Sequence, residues 1–259
     1  MDYTLLMPEE SFEEKIDKLY KMIDFANHIV FFGGAGVSTE SGIPDFRSKD
    51  GLYNTPNVGF EKYSPEYLLS HSCLYRNTDV FYEFYRQKLD VRNIESNITH
   101  KVLAKLENKK DICIITQNID GLHQKAGSKN VLEIHGTTQR NYCTNCKKEF
   151  PADYIFNNTD SIPKCPYCHK GIIRPDVTLY EENLPKAFDK AIEKVSNADL
   201  MIVAGTSLTV WPASSLTSYY NGNLLVILNK DATEQDKYAN LVIHDSLGKI
   251  FSELDSKLF

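Results

Sequence analysis

The stretch HIVFFGGAGVST, residues His28–Thr39, decides the fold of this chain. Its first part, His28–Phe32, is short and apolar, and it runs directly into Gly33, Gly34 and Gly36. An apolar run of this length that stops at glycines is typical of a buried strand followed by a tight turn. Many nucleotide-binding sites begin with such a turn, because glycines let the backbone approach a phosphate.

Five further apolar runs have the length of buried strands. They are Asp111–Thr116, Val131–Ile134, Leu200–Ala204, Leu224–Leu228 and Asn240–Ile243. Helical patterns lie between several of these runs, and the first helical pattern begins with a capping box of Ser11 and Glu14. Near-continuous apolar strands that alternate with helices indicate a parallel sheet covered on both faces. We therefore predict an α/β fold with a Rossmann-like parallel sheet.

Four of the six cysteines form two C-x-x-C pairs. Cys143 pairs with Cys146 and Cys165 with Cys168, and 18 residues separate the two pairs. This spacing is typical of zinc ribbons, in which each pair presents two thiolates to one tetrahedral ion. A redox-active C-x-x-C or four unrelated thiols are the alternatives. Because four thiolates fill the coordination shell, we expect a structural zinc ion rather than a catalytic one.

Two segments interrupt the rhythm of strands and helices. Residues 48–93 are rich in aromatic side chains with a mostly helical pattern, and residues 139–175 carry the paired cysteines. We predict a discontinuous Rossmann-like domain of residues 1–47, 94–138 and 176–259. The helical insertion (48–93) and the zinc-binding module (139–175) would form the smaller, inserted part.

Composition limits the class of protein. The 259 residues include 42% hydrophobic and 25% charged residues, which suits one folded unit with insertions. A net charge of −6 argues against binding to nucleic acid or to a membrane surface. The amino terminus is acidic and lacks the apolar core of a secretory signal, and cysteines at zinc-ribbon spacing favour a reducing compartment. We expect a cytoplasmic protein.

Polar motifs follow three of the predicted strands. The glycine turn itself is a weak signal, because Thr39 replaces the third glycine of a dinucleotide fingerprint and a plain strand-to-helix turn would look the same. However, SGIPDFR (Ser41–Arg47) follows it, TQNIDGLH (Thr116–His123) follows the second strand, and His135 with Gly136 follows the third. Since the carboxyl ends of parallel strands converge, we expect these residues to share one crevice.

Together these segments resemble the sirtuins, which are NAD-dependent protein-lysine deacylases. The resemblance covers nearly the whole chain, because the four cysteines, GTSL (Gly205–Leu208) and NKD (Asn229–Asp231) follow in the order of that family. It implies a bacterial-type catalytic core with NAD as co-substrate and one zinc ion. The implied reaction is deacetylation of protein lysines, with release of nicotinamide and O-acetyl-ADP-ribose. The implied partners are acetylated lysines in protein or peptide segments.

The resemblance also implies residue roles. His135 would be the general base, which suits a side chain whose pKa lies near working pH, and Asn118 would orient ribose or water. Asp120 and Ile119 would receive the nicotinamide carboxamide. The implied cofactor-binding residues are Ala35, Gly36, Thr39, Phe46, Arg47, Gln117, Ile119, Asp120, Ser207 and Asn229.

The resemblance places the peptide substrate along GIIRPDVTL (Gly171–Leu179), where an extended peptide would add to a strand edge. The implied substrate-binding residues are Val177, Tyr180, Trp211 and Tyr82. Tyr180, Glu181 and Glu182 stand where the family usually has Phe-Gly-Glu. The added carboxylate would favour Lys- or Arg-rich substrates.

A second departure bears on the acyl group. Family members that prefer succinyl or malonyl lysine carry Tyr-x-x-Arg in the helical insertion, whereas FYEFYR (Phe81–Arg86) keeps Tyr82 but has Tyr85 at the arginine position. We therefore expect acetyl-lysine to be preferred over acidic acyl groups, unless Arg86 takes the place of that arginine.

Three other classes of function compete with deacylation: a different NAD-consuming enzyme, a binding protein and a zinc hydrolase. An ADP-ribosyltransferase or an NAD hydrolase would use the same NAD pocket, and a zinc-ribbon binding protein would need none of the crevice motifs. A zinc hydrolase needs an open metal position, which four cysteines do not leave. His135 and the strand-edge segment favour deacylation.

Overall fold

In the computed structural model, which describes residues 10–45, 51 and 59–259, six parallel strands form one sheet. The strands of the described chain are β1 (His28–Gly33), β2 (Asp111–Thr116), β3 (Val131–Glu133), β4 (Gly136–Cys143), β5 (Glu149–Pro151), β6 (Ile173–Val177), β7 (Leu200–Ala204), β8 (Leu224–Asn229) and β9 (Leu241–His244). The large sheet has the order β3-β2-β1-β7-β8-β9. Counted along the chain, its strands follow the Rossmann order 3-2-1-4-5-6. The predicted sheet is confirmed, and each predicted strand agrees with an observed one to within one residue at either end.

Helices cover both faces of this sheet. The α-helices are α1 (Phe12–Phe25), α2 (Pro65–Leu68), α3 (His71–Arg76), α4 (Thr78–Lys88), α5 (Ile98–Leu106), α6 (Leu122–Lys125), α7 (Asp153–Phe156), α8 (Ala187–Ser196) and α9 (Leu247–Leu258). In β1, Ile29 and Phe31 belong to a core shared with α1, α5 and α9. The alternate residues Val30 and Phe32 belong to a second core shared with α8. Burial on both faces explains why the strands read as continuous apolar runs.

The predicted start of α1 is also confirmed. The Glu14 N–H donates to the Ser11 hydroxyl, and the Ser11 N–H donates to the Glu14 carboxylate, which completes the capping box. The helix runs for 14 residues to Phe25. Within the ranges that the structure describes, no helix combines the length and the apolar character needed to cross a bilayer.

A smaller lobe is built from the two inserted segments. Its three strands have the order β5-β4-β6, and helices α2, α3 and α4 pack beside them. Phe81 and Phe84 of α4 belong to the same buried cluster as Phe150, Ile155 and Ile173 of the cysteine-containing segment. The helical insertion and the zinc-binding module therefore share one apolar core. The domain boundaries themselves stay a prediction.

Two buried histidines lie beneath the carboxyl end of the sheet. The rings of His100 on α5 and His123 on α6 meet edge to face, 4.7 Å apart. His100 Nδ1 donates to the Asn97 side-chain oxygen, while His100 Nε2 and both nitrogens of His123 have no hydrogen-bond partner among the described residues. Burial lowers the pKa of His100 to about 4 and, with the help of the neighbouring His100, lowers the pKa of His123 well below its usual value. The fold thus keeps both rings neutral.

This pair predicts a loss of stability in mild acid. Both rings titrate near pH 6.5 in the unfolded chain, so below that pH the unfolded state binds more protons than the folded state. The contribution of the two neutral rings to the free energy of unfolding is fully present above about pH 6.5, and it falls as the pH decreases toward 4. Each histidine should lower the free energy of unfolding by about 2 kcal/mol between pH 7 and pH 5. Denaturant unfolding at the two pH values measures this loss.

The variant His123→Leu isolates the contribution of one ring. It should remove about 2 kcal/mol of the difference between pH 7 and pH 5, because an apolar side chain of similar volume has no proton to exclude. His28→Gln is the matched control, since the His28 side chain is 62% exposed. An unchanged pH dependence in His123→Leu would contradict the assignment.

Candidate active site

The strands of the large sheet end level with one another. The register pairs Gly33 of β1 with Thr116 of β2 and with Ala204 of β7, and Thr116 in turn pairs with Glu133 of β3. The residues that follow these positions therefore emerge at the same edge of the sheet. The order of strands reverses between β1 and β7, which is where ligands bind in open α/β sheets.

The turns that follow β1 and β7 touch through their backbones. The Gly34 N–H donates to the Ala204 carbonyl over 3.1 Å, and the Gly36 N–H donates to the Gly205 carbonyl over 2.8 Å. A Cβ atom on Gly36 would lie 2.8 Å from the Gly205 Cα, and a Cβ on Gly205 would lie 2.6 Å from the Val37 nitrogen. Glycine is therefore required on both sides of the crevice. Ala35 and Gly36 are half-buried at its surface, and Thr39 is exposed.

A hydrogen-bonded cluster joins the turn after β1 to the segment after β2. The Asn118 amide donates to the Ser38 hydroxyl over 3.0 Å, and that hydroxyl donates to the Asp120 carboxylate over 2.7 Å. The Leu122 N–H donates to the other oxygen of Asp120. Burial raises the pKa of Asp120, while the bonds from Leu122 and Ser38 act in the opposite direction. Ser38 was missed by the sequence analysis, although it lies within the GAGVST turn.

His135 lies where the two sheets of the molecule meet. Its Nδ1 donates to the Gln117 carbonyl over 3.0 Å, which leaves Nε2 as the basic nitrogen of the ring. Burial lowers the pKa of His135, and the bond to Gln117 partly offsets this effect. The His135 carbonyl accepts from the Thr178 N–H, so the residue is attached to the segment after β6. The next residue must be glycine, because a Cβ on Gly136 would lie 2.0 Å from the Asp176 carbonyl oxygen.

A second polar group surrounds the turn after β7. The Gln117 amide donates to the Thr206 hydroxyl over 3.1 Å. The Asn229 side chain, at the end of β8, accepts from the Thr206 N–H and donates to the Thr206 carbonyl. These two bonds fix the turn to β8. Ser207 is exposed, and its hydroxyl lies 2.9 Å from that of Thr209. Thr206 is another residue that sequence reasoning did not select.

Of the remaining predicted cofactor residues, only Ile119 lies within the described part of the chain. Ile119 is half-buried, and its carbonyl accepts two hydrogen bonds from Thr138, one from the N–H and one from the hydroxyl. Phe46 and Arg47 lie outside the described residues. Their roles stay predictions from the sequence.

The four paired cysteines come together in the smaller lobe. The sulfur atoms of Cys143, Cys146, Cys165 and Cys168 all lie within 4.8 Å of one another. Two of the separations are 3.6 and 3.7 Å. A tetrahedral zinc with bonds of about 2.3 Å requires sulfur atoms about 3.8 Å apart, so this cluster fits one ion.

The backbone of each C-x-x-C pair supports the same conclusion. Lys147 and His169, which follow the second cysteine of each pair, both have left-handed backbones, with φ of 60° and 55°. The two turns therefore have the same shape and present their sulfurs alike. Gly171 closes the cluster, because a Cβ there would lie 2.6 Å from the Cys143 sulfur. With four thiolates the shell is full, and the zinc is structural.

The predicted substrate residues occupy different environments. Trp211 is 80% exposed and Tyr180 is 37% exposed, whereas Val177 is buried at the end of β6. Tyr82 is fully buried, and its hydroxyl donates to the Ile173 carbonyl over 2.8 Å. Tyr82 thus has a packing position in the core of the smaller lobe.

Comparison with known proteins agrees with this architecture. The model of the Sir2 family matches residues 34–212. An NAD-dependent protein deacetylase from Clostridium acetobutylicum is 50% identical over 239 residues, covering 92% of this chain and 96% of the relative. Another, from Clostridium tetani, is 51% identical over 242 residues, covering 93% of this chain and 97% of the relative.

Solved structures give the same result. A Sir2 structure with a deacetylated p53 peptide and 3'-O-acetyl ADP-ribose superposes with a TM-score of 0.84 at 35% identity, covering 94% of this chain and 98% of the other. A Sir2 structure with a p53 peptide and NAD+ has a TM-score of 0.82 at 35% identity, covering 93% and 98%. On the family model, the relatives and the shared fold, the chain belongs to the Sir2 family.

Proposed function

We propose that this protein is an NAD-dependent protein-lysine deacetylase that releases nicotinamide and O-acetyl-ADP-ribose. The observation that carries the proposal is the arrangement at the level strand ends, where His135 after β3, the Asp120 cluster after β2 and the glycine turns after β1 and β7 emerge at one edge of the sheet. The curated relatives named as NAD-dependent protein deacetylases, about half identical over nearly the whole chain, support it.

The residues of the crevice fit NAD. Gly36 and Gly205 let the turns after β1 and β7 pack directly against each other. A glycine turn at the carboxyl end of a parallel strand is where backbone N–H groups receive a pyrophosphate. Together with Gly36, we assign Ala35, Thr39 and Arg47 to the phosphates. Ser207 and Asn229, beside Thr206, belong to the adenosine half.

The nicotinamide end is assigned to the cluster around Asp120. NAD supplies the ADP-ribose that accepts the acyl group and the nicotinamide that leaves. Asp120 receives the carboxamide N–H, because the donors Ser38 and Leu122 hold its carboxylate in one orientation. Ile119 is assigned to the same pocket. Phe46, which lies outside the described residues, keeps the role that the family resemblance implies, which is to shield the ribose carbon.

His135 acts as the general base. Its Nδ1–H is bound to the Gln117 carbonyl, so Nε2 is the nitrogen that accepts a proton from a ribose hydroxyl. Because burial lowers the pKa of His135, the ring stays neutral and able to accept that proton at neutral pH. Asn118, fixed through Ser38, orients the ribose or a water molecule.

The acylated peptide is assigned to the outer edge of β6 at its carboxyl end and to the segment that follows. At the amino end of the strand this edge is already occupied, because the Ile173 N–H donates to the Pro163 carbonyl and the Ile173 carbonyl accepts from Tyr82. In the described chain β6 pairs with β4 on one side only, and its other edge ends the sheet. An extended peptide adds to such an edge through main-chain hydrogen bonds. Val177 lies at the end of this strand, and the exposed rings of Tyr180 and Trp211 flank the groove.

We further propose that the protein works in the cytoplasm. All six cysteines are free thiols in the structure. Zinc binding needs the four paired cysteines as thiolates, and a reducing compartment keeps them in that state.

Substitution of His135 tests the proposed mechanism. His135→Ala should lower the rate of deacetylation by about 10²- to 10⁴-fold, because a positioned general base contributes that much. The assay combines the protein with an acetylated peptide, with and without NAD, and measures peptide mass and released nicotinamide.

The arms of the assay separate the competing functions. Peptide-dependent release of nicotinamide supports deacetylation, whereas release without loss of acetyl groups indicates an NAD hydrolase or an ADP-ribosyltransferase. His28→Ala is the control for the loss of a histidine, since His28 lies at the opposite, amino end of β1. A fully active His135→Ala variant would remove the proposed base.

The smaller lobe predicts the acyl preference. The Arg86 guanidinium donates to the carbonyls of Ile155, Asp160 and Ser161, so this cation is already bound within the lobe. Tyr85, at the position of the arginine in succinyl-preferring relatives, is fully buried, and its ring stacks 5.3 Å from that of Phe156. Neither side chain offers a charge to an acidic acyl group.

We therefore expect acetyl-lysine to be deacylated with a kcat/KM at least about tenfold above that for succinyl-lysine, because a carboxylate without a partner is costly to bury. The comparison uses one peptide that carries either acyl group. A butyryl version controls for chain length without charge. Faster removal of succinyl than of acetyl would contradict the prediction.

The zinc ion has a structural task in this proposal. Cys143 and Cys165 are buried in the core that the helical insertion shares with β6, and β6 leads directly to Thr178, which binds the His135 carbonyl. Loss of the ion should therefore unfold the smaller lobe and disturb the cleft from a distance.

Removal of zinc by a chelator should abolish activity together with the structure of the lobe, and Cys143→Ser should do the same. Metal analysis should find one zinc per chain, and limited proteolysis should cut the zinc-free lobe. Cys73→Ala, which removes a buried thiol outside the tetrad, should keep both zinc and activity. Full activity in zinc-free protein would show that the ion is dispensable.

A further inference from the structure

The segment that follows β6 is attached to the helical insertion at the start of α3. The Tyr180 N–H donates to the Leu69 carbonyl, and the His71 N–H donates to the Tyr180 carbonyl, each over 3.0 Å. These bonds form a short parallel bridge between Ser70 and Tyr180. Residues 179–182, which we call the substrate wall, are therefore attached to a neighbouring element rather than free in solvent.

Glu181 makes an additional bond at this joint. Its carboxylate accepts from the Ser72 N–H over 2.9 Å. Ser72 is the second residue of α3, where the backbone N–H has no acceptor within the helix. Hydrogen bonds from Ser72 lower the pKa of Glu181, and the charges of His71 and Arg76 act in the same direction. The carboxylate is thus bound to the start of α3 while it remains exposed, and the preference for basic substrates stays a prediction.

Glu182 attaches the wall on its other side. Two nitrogens of Arg174 donate to its carboxylate over 2.7 and 2.9 Å, and His71 Nδ1 and the Leu179 N–H donate to it as well. Burial raises the pKa of Glu182, but the bonds from Arg174 and His71 outweigh this effect and lower the pKa to about 2. The ion pair is 9% and 18% exposed, so it holds the wall to β6.

The backbone of Glu181 is strained. Its φ is 74°, in the left-handed region that glycine adopts at no cost and other residues avoid. Among the described non-glycine residues only Lys147, His169 and Leu208 share this conformation. The first two shape the zinc cluster. A strained residue persists where its surroundings hold it, and such sites cluster where geometry serves function. At Glu181 the bond to Ser72 acts together with the backbone bonds of Tyr180 and the ion pair of Glu182 to hold this conformation.

We propose that Glu181 is a positioning residue for the acyl-lysine peptide. It fixes the substrate wall against α3, so the groove beside β6 is formed before the peptide arrives. The wall is also joined to the active site, because Thr178, one residue before it, donates to the His135 carbonyl. A preformed groove binds peptide more tightly, since the segment does not have to be ordered on binding. This inference rests on the proposed function.

Three substitutions separate the charge, the bond and the strain. Glu181→Gln keeps an acceptor for Ser72 and should leave the KM for acetylated peptide near that of the wild type. Glu181→Ala keeps the strain without the bond and should raise this KM about threefold to tenfold. Glu181→Gly removes bond and strain together, so it should melt higher than Glu181→Ala but show the same increase in KM. The KM for NAD should change in none of them.

Glu83→Ala is the matched control, because Glu83 is an exposed glutamate of the same insertion, on α4. Two results would overturn the proposal. One is that Glu181→Gly binds the peptide as well as the wild type does, and the other is that the KM for NAD rises along with the KM for peptide.

Hydrogen exchange gives a readout that does not depend on activity. The Ser72 amide and the amides of residues 179–182 should exchange faster in Glu181→Ala and Glu181→Gly than in the wild type, and Glu181→Gln should keep the protection. Faster exchange in a protein that consumes no NAD would support the attachment while removing the proposed function. Unchanged exchange in an active enzyme would remove the attachment and keep the function.

Discussion

The backbone contact between the turns after β1 and β7 is the constraint on which the rest of the structure depends. Gly36 and Gly205 approach so closely that a single Cβ on either would meet main-chain atoms at less than 3 Å. This contact sits at the point where the strand order reverses, and it closes the floor of the crevice. Because the strands end level, the polar groups after β2 and β3 reach the same floor. The register of β1, β2 and β3 therefore brings His135 and the Asp120 cluster to the edge at which the two glycine turns pack.

The smaller lobe depends on a second constraint, its shared core. Short helices and three short strands bury little apolar surface when taken separately. Here the aromatic side chains of α4 pack on Phe150, Ile155 and Ile173, and the four cysteines fit an ion that crosslinks the same core. Arg86 adds three hydrogen bonds from α4 to the cysteine-containing segment. The lobe can then act as a rigid support for β6 and for the segment that leads back to His135.

The sequence predicted those parts of the molecule whose signals are local. The six strands could be found because burial makes most of their residues apolar, and the cysteine tetrad could be found because its spacing is set by a tetrahedral ion. Ser38 could not be found in this way. It gains its role from contacts with Asn118 and Asp120, which lie 80 and 82 residues away. A lone serine in a turn carries no spacing signal.

Other features were beyond the sequence for related reasons. Nothing in the local sequence shows that Glu181 takes a left-handed backbone while its carboxylate accepts from an N–H donor 109 residues away. Likewise, nothing local shows that Arg86 is already bound to carbonyls of another segment. Each of these outcomes is decided by which distant partner the fold brings near. Prediction from the sequence was reliable where the signal lies within one helix, strand or motif. It failed where contacts between two distant segments determine the structure.

The two titratable groups of the cleft show how the fold prepares its chemistry. Burial acts on both, but in opposite senses, because it disfavours whichever form is charged. For His135 the neutral form is the useful base, so burial and function agree. For Asp120 burial favours the protonated form, and the bonds from Ser38 and Leu122 stabilise the carboxylate instead. Ser38 and the start of α6 supply donors that offset part of the effect of burial on Asp120, and the Gln117 carbonyl supplies the acceptor that fixes the His135 ring.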